Sequence, residues 1–209
     1  MPALLAICCL LAADASTPPA AAWHHDLDSI RKAATTLRTL EASFVQTRTL
    51  KILKKPLVSR GVIAYRRPDD LRWEYQSPLA TLLLVRKGNA QRLLKRGTEW
   101  VTDDRGKLEA MKFVLEEINL WLEGDFSASR TLRPELRPAT KQQPAHVVLT
   151  PVERSFARII SGITIFFGDR PGTVSAIDIF EPGGGVTHIA FENSRYNEPV
   201  PDARFDTPR

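Results

Sequence analysis

The sequence predicts a mainly β fold with helices, an α+β chain in which a strongly curved antiparallel sheet, an open β-barrel, is capped by two or three α-helices. Three observations predict it. Apolar and polar residues alternate with period two in nine or more short segments. The connections between most of these segments are too short to hold a helix, which makes neighbouring strands antiparallel. Two further segments carry apolar stripes at helical spacing. A sheet of that many strands must twist, curl or close, and the hollow of a half-barrel is where helices can bury their stripes.

The chain opens with "MPALLAICCLLAADAS", an apolar run from Ala3 to Ala13 followed by the small-x-small pattern Ala13-Asp14-Ala15. Residues 1–15 read as a secretory signal peptide, too short for a membrane span of roughly 20 apolar residues. Both cysteines, Cys8 and Cys9, fall inside it and read as apolar filler, so the mature chain has no thiol and no disulfide. No later stretch is apolar for long enough to cross a bilayer as a helix. The expected product is an exported soluble protein, periplasmic in a Gram-negative cell.

Residues 16–25 form a Pro/Ala-rich linker, "STPPAAAWHH", and residues 26–209 read as one domain. With Asp26 as N-cap, Leu27, Ile30, Ala34 and Leu37 sit at helical spacing over a segment running to Leu40. Strands follow in "ASFVQTRTL", "SRGVIAYRRP", "DLRWEYQSP" and "TLLLV", joined at "KKP", "RPDD" and "RKGN", and "QRLLKRG" and "EWVTDD" continue the meander. In the third, Leu71, Trp73 and Tyr75 share one face and Arg72, Glu74 and Gln76 the other. Met111, Val114, Leu115, Ile118, Trp121 and Leu122 mark a second helix with Gly124 as its stop. The chain then returns to strands in "AHVVLTPV", "ISGITIFFGD", "VSAIDIFEP" and "VTHIAFENS", with turn chemistry at "DRPG" and "EPGGG".

Charge is unevenly placed. Without Asp14, 29 Lys and Arg face 23 Asp and Glu. From Phe44 to Pro68 there is no acid, while Arg48, Lys51, Lys54, Lys55, Arg60, Arg66 and Arg67 are basic. Such a stretch suits phosphates of lipid or nucleic acid, or an acidic protein, although a merely solvated hairpin accounts for it too.

Catalytic signatures are missing. The histidines, His24, His25, His146 and His188, show no metal-ligand spacing and have no cysteine to assist them. There is no G-x-S-x-G, P-loop or G-x-G-x-x-G, and Gly183 to Gly185 fit a hairpin turn. Asp69-Asp70 and Asp103-Asp104 lie in turn contexts, and Glu116-Glu117 on the polar face of a helix. The expectation is a protein without cofactor or metal that is not an enzyme, and that holds something apolar.

Four segments resemble the periplasmic outer-membrane lipoprotein carrier family, LolA-like proteins. They are "LEASFVQTRT", "GVIAYRRPDDLRWEYQSP", "LLLVRKGNAQRLL" and "NEPVPDARFDTP", spread over about residues 27–208. The resemblance implies an open β-barrel capped by helices around a hydrophobic cavity for lipoprotein acyl chains. It implies that Arg67 bonds the lid helices and holds the empty cavity closed, with Arg66 beside it as the competing choice. Phe44, Leu71, Trp73, Tyr75, Val114, Ile118 and Trp121 would line the cavity, and the basic hairpin residues Lys51, Lys54, Lys55 and Arg60 would meet an acidic partner or anionic lipid headgroups. The implied partners of this expected monomer are acylated lipoproteins or lipids, an inner-membrane ATP-driven releasing complex and an outer-membrane receptor, with no nucleic acid. The segment "LKILKKPLVSRG" is more apolar and basic than the family's turn there, which leaves a lipid or glycolipid binding module for envelope or pigment-lipid biosynthesis as the alternative.

Overall fold

A computed structural model describes residues 27–103, 120, 124–125 and 129–208. It opens with helix α1, Leu27–Ala34, and continues into β1, Thr39–Thr49. The predicted helix to Leu40 therefore overruns the observed one. Thr35 and Thr36 turn their hydroxyls back onto the carbonyls of Lys32 and Ala33, both at 2.7 Å, and β-branched residues gain little from continuing a helix. From Thr39 onward, pairing on both sides of β1 takes over.

The strands that follow are β2, Leu57–Arg66; β3, Asp70–Ser77; β4, Thr81–Arg86; β5, Asn89–Arg96; and β6, Glu99–Thr102. The second half comprises β7, Leu132–Arg137; β8, His146–Pro151; the short helix α2, Arg154–Ala157; β9, Gly162–Phe167; β10, Val174–Phe180; and β11, Val186–Tyr196. A 3₁₀ turn, Asp202–Phe205, ends the described chain's regular structure.

These eleven strands form one antiparallel sheet in the order β6-β5-β4-β3-β2-β1-β11-β10-β9-β8-β7. Each half is a simple meander, and the halves join where β1 pairs β11, from Leu40 opposite Tyr196 to Thr49 opposite Val186. Among the described residues β6 and β7 are not paired with each other, so the barrel is open between them.

Sequence patterning does not mark β7 or α2. β7 contains Pro134, which has no N–H to give a ladder, and the strand sits at the sheet edge where that loss is tolerated. The predicted second helix lies largely outside the described residues. Its expected stop is visible: Gly124 has φ +70°, and the Asp125 N–H donates to the Leu120 carbonyl at 2.9 Å, the kind of bond with which a helix ends at glycine.

The two faces of the sheet carry separate cores. On the concave side Ile30, Phe44, Val147, Ile165 and Ile177 belong to one cluster, and Leu37, Leu40, Ile63, Tyr65 and Leu71 to another. On the convex side Ala64, Leu84 and Leu93 pack with Val200 and Phe205 from the C-terminal segment. Phe205 is completely buried. Three arginines on that face fasten the segment. Arg66 bonds Asp70 and Asp202, both at 2.6 Å, and its guanidinium lies 4.8 Å over the Phe205 ring. Arg72 donates to the carbonyls of Arg204 and Asp206, and Arg86 pairs with Asp206.

Candidate functional site

A cavity of about 330 Å³ opens on the concave side. Its wall follows from strand register. Trp73 stands opposite Ile63 on β2 and Leu83 on β4, and all three side chains line the space. Across the β1–β11 junction the same face continues with Ile189 and Phe191, then Ile177 and Ile179 on β10, then Ile163 and Ile165 on β9. That strands β2 to β4 and β9 to β11 border one cavity measures how strongly the sheet is curled. Leu37, just after α1, borders the space, as do Phe156 and Ile160, from and just after α2.

The aromatic corner is layered. Phe44 lies 5.0 Å from Trp73 and 5.2 Å from Tyr75, ring centre to ring centre, and Trp73 meets Phe191 edge-on at 6.1 Å. Trp73 and Tyr75 reach the cavity surface. Phe44 and Leu71 share their face of the sheet but are each only 1% exposed and pack behind that surface. Gly61 permits this corner, because a side chain there would strike the Phe44 ring and the Glu74 carbonyl. Val114, Ile118 and Trp121 lie outside the described residues.

Few polar groups enter the wall. The Tyr75 hydroxyl donates to Gln46 Oε1 at 2.7 Å, and burial pushes its pKa above the usual phenol value, so it stays protonated. Arg92, also in the wall, lies 3.6 Å from Asp103. Among the described residues no group of His, Cys, Asp or Glu is close enough to hold a metal ion. Among the described residues the wall offers mainly adaptable apolar contact.

Adjacent Arg66 and Arg67 point to opposite sides. Arg66 grips the convex C-terminal segment, as described above. Arg67 turns to the end of α1: its Nε donates to the Leu37 carbonyl at 2.6 Å and Nη2 to the Ala34 carbonyl at 3.3 Å, while its backbone N–H donates to the Arg38 carbonyl at 2.9 Å. A cation at a helix C-terminus satisfies carbonyls that have no partner within the helix and complements the helix dipole. α1 is held elsewhere by close backbone approach. Gly124 and Gly172 both sit so near Ala33, Ala34 or Arg31 that a side chain at either would collide. Arg31 also pairs with Asp125 at 3.1 Å.

Lys51, Lys54, Lys55 and Arg60 are exposed at the far end of the β1–β2 hairpin from Arg67. Lys51 lies across Gly184 in the β10–β11 turn. The sequence reading missed the second half of the wall. Its signal was present, since Ile163, Ile165, Ile177, Ile179 and Ile189 alternate along their strands. Phe156 and Ile160 had no such signal, because a four-residue helix is too short for a period to show.

The sequence model of the family described as "Outer membrane lipoprotein carrier protein LolA" matches residues 35–208. A protein named outer-membrane lipoprotein carrier protein, from Dechloromonas aromatica (strain RCB), is 27% identical over 173 residues, covering 80% of this chain and 76% of its own length. A MucA/MucB complex structure from Pseudomonas aeruginosa shares the fold with TM-score 0.52 and 13% identity, over 87% of this chain and 59% of that one. A LolA superfamily protein from Nitrosomonas europaea aligns with TM-score 0.39 and 10% identity, over 88% of this chain and 98% of that one.

Proposed function

The chain belongs to the outer membrane lipoprotein carrier family, LolA, and from that premise we propose that it is a periplasmic carrier that holds lipoprotein acyl chains in its concave cavity and shuttles them from the inner to the outer membrane. The observation that carries the reading is the cavity wall: large aliphatic and aromatic side chains from both halves of the sheet, with almost no polar chemistry. Burying each CH₂ contributes about 0.8 kcal/mol, enough to hold a chain by summed contact without any fixed recognition group. A carrier must also let go. The cavity of about 330 Å³ sits at the low end of the roughly 300–1,000 Å³ typical of ligand sites, so bulky cargo requires the helices to move outward.

In this reading Arg67 is the catch. Its bonds to the Leu37 and Ala34 carbonyls hold the end of α1 against the cavity, whose wall includes Leu37, and cargo displaces them. Trp73, Tyr75 and the isoleucines of β9 to β11 touch the chains, while Phe44 and Leu71 stiffen the wall behind them. An N-terminal signal peptide delivers the chain to the periplasm, where it works as a monomer. An ATP-driven complex in the inner membrane supplies the cargo, and a receptor at the outer membrane accepts it. No step is enzymatic.

Native mass spectrometry of protein purified from the periplasm tests the reading. Bound triacylated protein is the expected result. Free lipid or glycolipid alone would move the assignment to a lipid-binding module of the same fold.

A further inference from the structure

We propose that the end of the sheet opposite Arg67 is a membrane-docking rim that rests on the surface of an anionic phospholipid bilayer. The observation is positional. The large apolar residues that the described chain leaves exposed are Ile52, Leu53, Leu57, Val58, Leu79, Val152, Ile159 and Phe180, from 37% to 89% exposed. Register puts every one of them at the same end. Arg48 pairs with Leu57, Thr49 with Val186, and Phe180 with both Val186 and Gly162. The flanking strands share that edge, since Leu149 pairs with Ile163, Arg60 with Ser77 and Tyr75 with Thr81. The other end, where α1 and Arg67 lie, exposes none of comparable size among the described residues.

Among the described residues charge at this end is predominantly positive. Lys51, Lys54, Lys55, Arg60, Lys95, Arg96, Arg154 and Arg158 are all exposed there. Among the described residues the acids that join them are Glu99, Glu153 and Glu181, and Glu181 is already paired with Arg48 at 2.8 Å. Aliphatic side chains interleaved with lysines are what an interfacial surface needs, since the apolar parts enter the headgroup boundary while long basic side chains reach the phosphates. A protein partner fits the composition less well, because the cores of protein interfaces favour aromatic residues and arginine and are depleted in lysine.

The rim is continuous with the cavity. Exposed Ile159 belongs to the segment whose Phe156 and Ile160 line the wall, and exposed Phe180 follows Ile179 of the same wall. A bilayer resting here would present acyl chains next to the part of the cavity wall formed by Phe156, Ile160 and Ile179. The inference stands on the exposed surface and does not depend on which cargo the cavity holds.

Flotation with vesicles tests it. Vesicles of phosphatidylcholine alone are compared with vesicles containing about one third phosphatidylglycerol, since each basic residue near an anionic surface strengthens binding roughly fivefold. The protein is expected to float with the anionic vesicles and to be released at about 0.5 M salt, where exposed charge attraction is screened. Lys54→Glu with Lys55→Glu should weaken binding at least about tenfold, by the same per-charge factor. Ile52→Ser with Leu53→Ser should weaken it comparably, with thermal unfolding and cavity probe binding unchanged. Absence of flotation overturns the proposal. So does binding indifferent to the Ile52 and Leu53 pair, which would leave a charge patch suited to an acidic protein.

Discussion

Phe44 and Trp73 touch, yet they do different work, and truncating each should show it. Phe44 is 1% exposed and enclosed by Trp73, Tyr75 and Gly61, so Phe44→Ala should cost about 3–5 kcal/mol in urea unfolding, as for any packed aromatic. Trp73 borders empty space, so Trp73→Ala should cost less than that range while changing the binding of an apolar fluorescent probe. Equal losses with unaltered probe binding would make β3 an ordinary core strand. On the convex side, the hydrogen bond and charge of Arg66 hold the Asp202 carboxyl below its ordinary 3.8. A carboxylate with a lowered folded pKa contributes stability that is present above the unfolded value and lost as pH falls through the folded one. Asp202→Asn should therefore slightly flatten the pH dependence of unfolding below about pH 4 and lower neutral stability by the same amount, which is small because the group is largely exposed. The alternation of Leu71, Trp73 and Tyr75 was readable as a face in the sequence. Which of the three reaches the cavity was not, because that depends on Phe44 and Gly61 from other strands.

At the scale of elements, α1 and the C-terminal segment are fastened by neighbouring arginines to opposite faces of one sheet. Arg67→Leu removes two side-chain bonds to the end of α1, at about 1–3 kcal/mol, and should leave a folded protein with an impaired release cycle. Wild-type cargo transfer by that variant would exclude Arg67 from the switch. Phe205→Ala empties a fully buried site on the other face and should cost about 3–5 kcal/mol with probe binding intact. The strands and their hairpins were legible because a period of two survives any tertiary context, and the "RKGN" turn appears as Lys87 and Gly88, both at positive φ, as a tight hairpin needs. The end of α1 was not legible. Leu37 and Leu40 continue the helical spacing, yet both are buried beyond it, Leu40 in a strand, so their pattern reports the concave core and not the helix. Pro134 hid β7 in a related way, since only the sheet order reveals that its strand is an edge.

For the whole molecule, the decisive feature is a sheet curled far enough that β3 and β10 border one apolar space, with Arg67 bonded to the end of α1 at one end and exposed basic and aliphatic residues at the other. That curl is what turns a family likeness into a mechanism, because a flat sheet with the same residues would have an oily face and nothing to enclose. Nothing in the local sequence specifies the join of β1 to β11, whose paired residues Phe44 and Phe191 are separated by nearly the whole described chain. The most direct measurement uses a palmitoyl chain carrying a photoreactive diazirine, crosslinked to the purified protein and mapped by peptide mass spectrometry. Labelling should fall on the peptides that contain Trp73 and Tyr75, Phe156 and Ile160, and Ile177 and Ile179, and should be competed by triacylated lipopeptide. Labelling confined to the exposed residues 50–58, or spread over the convex face around Phe205, would contradict the claim that the concave cavity holds the acyl chain.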